Sequence, residues 1–417
     1  MTSATPHESI SKTTLVVDIG SSLIKVGIAG NLTPEKIIPC LLGSPRYSSK
    51  YKGDSEREIL VGDDALKGGK HQKIGYRYPM KATGHVQDWN SLEVLLKAAF
   101  RDVLCKLLDY DCEHDCEHEH AAAQYKVLVA KPYDMKRAGL KRLVDTLLVN
   151  LGFGAVAMHE QAALVLYTQG VETGVVVELG ESIASIVPVY KGHAIPKLDR
   201  SLAFGGRSIT SHLIKLLRLK GFQLNEKEDL EIGRQIKEAA CYVALDPDAD
   251  ERLAAETTVL TEAFKLPDGT VISVGRERFG AVEALFKPNL YNSNESSGLS
   301  DMIFEVIQDA DIDCRADLYR NVILSGGTSL LPGMQARLEQ DLNRRYTNDV
   351  LDGKHSRLSS NSLGWKPKVQ APASRQNLVF EGAALFADYV SNDENYWVGK
   401  EDYVRDGIQQ VLDKCTI

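Results

Sequence analysis

The sequence predicts an α/β protein built from two similar domains, and three observations carry that expectation. First, one strand-turn-strand pattern occurs twice, as Leu15-Val16-Val17-Asp18-Ile19-Gly20-Ser21-Ser22-Leu23-Ile24 and as Val175-Val176-Val177-Glu178-Leu179-Gly180-Glu181-Ser182-Ile183-Ala184. Each copy is a hydrophobic triplet, a carboxylate, an apolar residue, a Gly and a polar pair, and the copies lie a domain's length apart. Second, strand-like and helix-like segments alternate in both halves, the signature of helices covering mixed sheets. Third, 417 residues, 43% hydrophobic and 25% charged, suffice for two or three domains with sizeable cores.

In chain order, each pattern opens a domain with a strand that turns sharply at Gly20 or Gly180 into a second strand. Between them, Lys126 to Ala130 reads as a strand. Leu140, Leu143, Val144, Leu147 and Leu148 follow with the spacing of an amphipathic helix. After the second copy, Ile209, Leu213, Leu216 and Leu217 mark another helix, ended by Gly221. Leu324-Ser325-Gly326-Gly327-Thr328-Ser329 reads as a strand entering a Gly-Gly turn, before a helix carrying Met334, Leu338 and Leu342. Tyr47 to Gly75, Asp109 to Gln124 and Lys354 to Lys368 read as loops or insertions. The second holds a near-tandem repeat, Asp111 to His120, with the ingredients of a metal site. It has no helix or hairpin signal to fix ligand geometry, so it reads as a solvated low-complexity loop.

The net charge of -8 argues against nucleic acid or an anionic membrane as the main partner and favours proteins and small ligands. No apolar stretch approaches the roughly 18 residues that span a bilayer, and the seven scattered cysteines suit free thiols in a reducing compartment. The expectation is a cytoplasmic protein.

The repeated turns carry chemistry. A Gly with hydroxyl residues between two strands lets backbone N–H groups point at phosphate oxygens, and the preceding carboxylate can hold a hydrated divalent cation. Paired glycines at Gly326-Gly327 let the backbone approach a flat base or ribose. Either Gly turn alone is common as plain structure, and φ > 0 before a helix also selects Gly. The three motifs in this order are a more specific signal than any one of them.

Those motifs resemble the phosphate-one, phosphate-two and adenosine segments of the superfamily of actins, sugar kinases and heat-shock chaperones. Within it the chain resembles the actin family from about Thr14 to Tyr403. The most specific stretches are Ile236 to Val243, Leu266-Pro267-Asp268-Gly269, Glu277-Arg278-Phe279, Glu283 to Phe286 and Tyr319 to Gly327. Other stretches resemble the actin-related members that seed branched filaments: Tyr167 to Gly170, Leu213 to Phe222, Glu256 to Leu260, Leu378 to Ala384, the long segment Gln340 to Leu358, Asn395-Tyr396-Trp397 and Glu401-Asp402-Tyr403.

The resemblance implies an actin-like ATPase fold: two duplicated α/β domains, in four subdomains, around a nucleotide cleft. The first domain would comprise residues 1–168 and 378–417, with a small subdomain at about 40–78. The second would comprise 169–377, with a small subdomain at about 205–293. It implies ATP with Mg2+, or Ca2+ in its place. Gly20, Ser21, Ser22, Leu23 and Lys25 would hold the terminal phosphates, opposite Gly180, Glu181 and Ser182. Asp18 and Glu178 would hold the metal through water, with Gly206, Arg234, Lys237, Glu238, Gly326, Gly327 and Thr328 around adenine and ribose. Without the resemblance, Lys237 and Glu238 read as an exposed helical pair. Gln161 matches the family's water-positioning Gln and, with Glu178, is the catalytic candidate.

Some positions depart from the family pattern. The second phosphate turn usually reads Asp-Ser-Gly-Asp-Gly and is followed by a His; here Glu178, Glu181 and Ser185 stand instead. An extra methylene displaces a carboxylate by about 1 Å, enough to cost on the order of 100-fold in a water-attack geometry. The expectation is at most a slow ATPase with a structural, nucleating role. Ser22, Leu331 and Gln376 replace a Gly, an aromatic and a Lys of relatives, which bears on nucleotide affinity. The partners implied are a second actin-related subunit and the rest of a branching assembly, actin filaments and nucleation-promoting factors, with a cytoskeletal location. Competing readings are a divergent polymerising actin, an actin-related subunit of a chromatin or dynein-associated assembly, and a sugar-kinase-like phosphotransferase, for which no sugar-binding motif is found.

Overall fold

The structure, a computed structural model, describes residues 13–45, 59–68, 74–81, 83–109, 122–225, 229–266, 269–291, 297–351 and 366–415. The Asp111 to His120 repeat lies outside the described residues, as do parts of Tyr47 to Gly75, Gln340 to Leu358 and Lys354 to Lys368. The chain forms two compact units: Met1–Gly170 with Asn377–Ile417, and Val171–Gln376.

Unit 1 is built on a six-stranded sheet that includes β1 (Thr14–Ile19), β2 (Leu23–Ile28), β3 (Lys36–Pro39), β7 (Lys126–Lys131) and β8 (Ala155–Glu160). β1 runs antiparallel to β2 and parallel to β7, and β7 is parallel to β8. Leu15 to Val17 and Val127 to Val129 are buried on both faces, so these strands are continuous hydrophobic runs rather than alternations. One face, with Leu15, Val17, Val127, Val129 and Val156, packs with the apolar stripe of helix α1 (Trp89–Leu108): Leu92, Leu95, Leu96, Ala99, Phe100 and Val103. Asp88 starts that helix, its Oδ1 accepting from the Ser91 backbone N–H at 3.0 Å and its Oδ2 from the Ser91 hydroxyl at 2.6 Å. A smaller sheet joins β4 (Leu42–Pro45), β5 (Leu60–Val61) and β6 (Ile74–Arg77).

The segment expected as one amphipathic helix is α2 (Arg137–Val144) followed by a π-helical turn, Asp145–Asn150. The Thr146 hydroxyl donates to the Arg142 carbonyl at 2.9 Å, and the Leu151 N–H reaches the Thr146 carbonyl five residues back at 2.8 Å. β8 then leads directly into α3 (Gln161–Thr168).

Unit 2 repeats the plan. β9 (Gly174–Leu179) is antiparallel to β10 (Ala184–Tyr190) and parallel to β15 (Val322–Ser325), which is parallel to β16 (Val369–Gln370). The strands β11 (His193–Ala194) and β12 (Arg200–Leu202) pair with β10, and β13 (Glu262–Lys265) forms a separate hairpin with β14 (Val271–Val274). Its helices include α4 (Gly206–Leu219), α5 (Leu230–Ala240) and α6 (Met334–Arg345). α4 stops before Gly221, whose φ of +104° is the left-handed end expected of it. α6 also widens into a π-helical turn, Tyr346–Val350. Thr347 donates to the Asn343 carbonyl at 2.8 Å and Leu351 N–H to the Tyr346 carbonyl at 3.2 Å. The duplication therefore extends from the two strand turns to an α-to-π transition with a Thr in the same role.

The chain returns to unit 1 with α7 (Leu378–Tyr389), and β17 (Val398–Gly399) then pairs with β8. Trp397 and Tyr403 are buried in this unit, and the Tyr403 hydroxyl donates to Asp145 at 2.6 Å, so both belong to its core. Cys40, Cys241 and Cys314 are free thiols, as expected. Cys105 departs from that expectation: it is disulfide-bonded.

Candidate functional site

Each unit carries one copy of the predicted turn at the carboxyl ends of its parallel strands, the edge at which open α/β sheets bind ligands. In unit 1 the Gly20 N–H donates to the Leu23 carbonyl at 3.0 Å, and the Cys40 N–H to the Ser22 carbonyl at 2.7 Å, which ties the turn to the end of β3. A Cβ at Gly20 would stand 2.8 Å from the Leu23 oxygen, so only Gly allows the turn to close this tightly. Asp18 and Lys25 face each other across β1 and β2, with Lys25 Nζ 3.2 Å from Asp18 Oδ2 and both side chains buried. Across the parallel strands, Asp18 is level with Ala130 and Ala130 with His159. Gln161, buried at the first position of α3, follows two residues later. The structure thus brings Asp18, Gly20 to Leu23, Lys25 and Gln161 to one sheet edge.

In unit 2, Gly180 N–H donates to the Ile183 carbonyl at 3.0 Å, the same closure as in unit 1. The turn is held from outside by the Gly206 and Arg207 N–H groups, which donate to the Gly180 and Glu181 carbonyls at 2.9 and 2.8 Å. Thr328 Oγ1 donates to the Gly180 carbonyl at 2.8 Å. A Cβ at Gly205 would lie 2.7 Å from the Glu181 carbonyl oxygen, so the glycine before α4 permits this docking. Lys237, 5% exposed, donates to the Gly206 carbonyl at 3.1 Å and lies 3.9 Å from Glu181 Oε2, while Arg207 Nε is 3.8 Å from Glu181 Oε1. The carboxylate of Glu181 is therefore tethered between two cations. Glu178 is cross-strand from Ser185.

The two glycines of the third motif differ. Gly326, at φ +86°, lies against β9: a Cβ there would be 2.4 Å from the Leu179 carbonyl oxygen. Gly327 meets only Gln376 Cγ, at 4.0 Å, so its surface is open for a ligand. Beside it, Leu331, Pro332, Gly333, Met334, Gln335, Ala336, Ala371 and Arg375 line a shallow depression of about 230 Å3.

On α5, Lys237 points inward and Glu238 outward, so the exposed-pair reading fails for the lysine and holds for the glutamate. Arg234 pairs with Glu231 and, at 3.0 Å, with Glu238. Its hydrogen bonds to Glu231 raise its pKa above the usual guanidinium value, so it is always charged. Arg234 and Glu238 thus form a surface pair beside the buried Lys237. Cys241, at the end of α5, is pushed up to about 12 by burial, against the pull of Lys237 and Arg278, and is an inert thiol. Sequence reasoning missed Gly205 and Arg207; the signal available was the Gly-Gly pair immediately before a helix.

Taken unit by unit, these residues fit phosphate and a divalent cation. Ser182, 2% exposed, has a hydroxyl with no hydrogen-bond partner at the turn itself, Gly327 leaves open space, and Asp18 and Glu178 supply hard oxygen donors. A duplicated α/β fold with a Gly-closed phosphate turn in each half defines a class of nucleotide-binding proteins. A family model described as actin matches residues 9–416, and the chain belongs to the actin family. Three curated relatives bear the name actin-related protein 2. The one from Acanthamoeba castellanii is 37% identical over 403 residues, covering 96% of this chain and 98% of that protein. Those from Caenorhabditis briggsae and Arabidopsis thaliana are 37% identical over 413 residues (98% and 99% covered) and 35% identical over 399 residues (95% and 97%). Among the described residues, no helix is long and apolar enough to cross a membrane.

Proposed function

We propose that this chain is the actin-related subunit that, beside actin-related protein 3, forms a filament-like template in the assembly nucleating branched actin filaments. The observation that carries this reading is identity of 35–37% to proteins named actin-related protein 2, sustained along 95–98% of the chain. Its further partners are the other subunits of that assembly, actin filaments and nucleation-promoting factors, and its location is the cytoplasmic cytoskeleton.

ATP with Mg2+, or Ca2+, is the ligand of this reading. The nucleotide acts as a conformational ligand in this reading. The N–H groups of the Gly20 to Leu23 turn and the Lys25 ammonium hold phosphate oxygens, and Gly180, Glu181 and Ser182 form the second grip. Asp18 and Glu178 accept hydrogen bonds from cation-bound water. Lys237 and Thr328 fix the backbone around Gly206 and Gly180, and Gly327 leaves room for the base or ribose, with Gly206, Arg234, Glu238 and Gly326 completing that side. Gln161 orients water. With Ser185 in place of His and a tethered Glu181, hydrolysis is slow.

The test is reconstitution. Purified alone, the chain forms no filaments in a pyrene-actin assay with microscopy, because filament growth repeats a heterologous contact on two faces whereas seeding uses one. Added to a branching complex depleted of its own copy, it restores branches. Filaments of the chain by itself support the divergent-actin reading instead, and failure to co-assemble removes the proposal.

A further inference from the structure

The two halves place a carboxylate at the same strand position and surround it differently. In unit 1, Asp18 has Lys25 as its partner on β2 and Ala130 on β7, and the ammonium is 3.2 Å away. In unit 2, Glu178 lies between Ser185 on β10 and Ser325 on β15. Register partners on adjacent strands project from the same face, so Ser185, Glu178 and Ser325 form one row. One row is charge-balanced by its own lysine. The other combines a carboxylate with two hydroxyls.

Ser325 is the telling member of that row. It is 1% exposed, and among the described residues its Oγ has no hydrogen-bond partner. A buried hydroxyl left unpaired weakens a fold, and native proteins tolerate few of them. Val322, Ile323 and Leu324 before it are fully buried and apolar, so packing alone would accept alanine at 325. The hydroxyl has a use when something draws the Glu178 carboxylate into a fixed orientation.

We propose that Ser325 is a positioning residue for a hydrated divalent cation: its hydroxyl donates to the Glu178 carboxylate and sets the orientation in which that carboxylate takes hydrogen bonds from the cation's water shell. Asp18 has the Lys25 ammonium to fix its carboxylate and needs no such hydroxyl. This rests on the nucleotide-binding reading above. A hard cation such as Mg2+ keeps much of its water and is held by carboxylates through it. Outer-shell donors that orient such carboxylates tune affinity.

The experiment uses the full chain, a fluorescent etheno-ATP probe and buffered Mg2+. The Mg2+ concentration that half-protects bound probe from release is measured for the unaltered chain, Ser325→Ala, Glu178→Gln and the double variant. Ser325→Ala raises that midpoint about tenfold to a hundredfold, the cost of losing an outer-shell partner of a cation-holding carboxylate. It leaves probe affinity without divalent cation unchanged. The thermal midpoint of the ligand-free variant stays level or rises, because an unpaired hydroxyl has gone. The double variant shows no shift beyond Glu178→Gln, since Ser325 acts through Glu178. An unchanged Mg2+ midpoint, additive shifts, or a lowered ligand-free thermal midpoint without a Mg2+ effect overturns the proposal. Failure of the unaltered chain to bind etheno-ATP or ATP overturns the nucleotide reading beneath it, an outcome read separately by calorimetry.

Discussion

Gly326 and Gly327 are neighbours for which the structure demands opposite outcomes. Gly326→Ala puts an L-residue at φ +86°, ψ 154°, a region that only Gly occupies readily, and drives a Cβ to 2.4 Å from the Leu179 carbonyl oxygen. Backbone strain of this kind costs about 1–3 kcal/mol, and overpacking against immovable backbone about 1–3 more. A loss of roughly 2–6 kcal/mol is expected, which at ~2–4 °C per kcal/mol for a unit of this size lowers the thermal midpoint by about 4–24 °C. Gly327→Leu enters space where the nearest atom is Gln376 Cγ at 4.0 Å, so the midpoint stays within a few degrees while ATP binding is lost. Circular dichroism melts and isothermal titration with Mg-ATP read the two effects. A Gly326→Ala protein as stable as the original, or a folded Gly327→Leu protein that binds ATP normally, refutes the reasoning.

Arg337 in α6 binds Glu283 through both terminal nitrogens at 3.1 and 3.2 Å and Asp341 through Nε at 3.0 Å, all three buried. Arg337→Met leaves Glu283 with Lys287 at 3.6 Å as its remaining cation, while Asp341 keeps Arg344 and the Ser300 hydroxyl, both at 2.9 Å, so the change costs up to about 3 kcal/mol in urea unfolding, with no first-order effect on the nucleotide turns. Asp88→Ala removes the α1 cap and costs about 1 kcal/mol at neutral pH. The Ser91 hydroxyl and N–H hold the Asp88 carboxyl below its usual range, so its contribution is present above pH ~4 and fades as the pH falls through the lowered folded value. Melts at pH 7 and pH 3 therefore show the variant's deficit shrinking with acid. Restoring family residues, as Glu178→Asp, Glu181→Asp and Ser185→His together, speeds phosphate release on the order of 100-fold. An actin-like rate in the unaltered chain counts against that account.

Much of the site was legible because its chemistry is local in sequence. A carboxylate, a Gly and a polar pair within five residues set a tight strand turn, and their repetition announced a duplicated fold before any contact was known. β1, β7, α2 and α4 followed from hydrophobic periodicity, and α4 ended where Gly221 said it would, whereas α1 and β8 were not read from the sequence. The π-helical turns did not follow, because Thr146 and Thr347 sit in ordinary amphipathic patterns and the widening depends on hydrogen bonds five residues apart.

Tertiary structure alone decided the partners. Periodicity leaves Lys237 and Glu238 equivalent, yet docking α5 on α4 buries the lysine against Gly206 and leaves the glutamate outside. Two adjacent glycines look alike in sequence, and only the approach of β9 makes Gly326 structural and Gly327 open. The row Ser185, Glu178, Ser325 joins residues up to a domain's length apart, through parallel pairing that no local pattern encodes. Turn geometry is set by neighbours in sequence, so the chain by itself determined the two strand turns. Burial, charge balance and strand register are set by neighbours in space, and those waited for the fold.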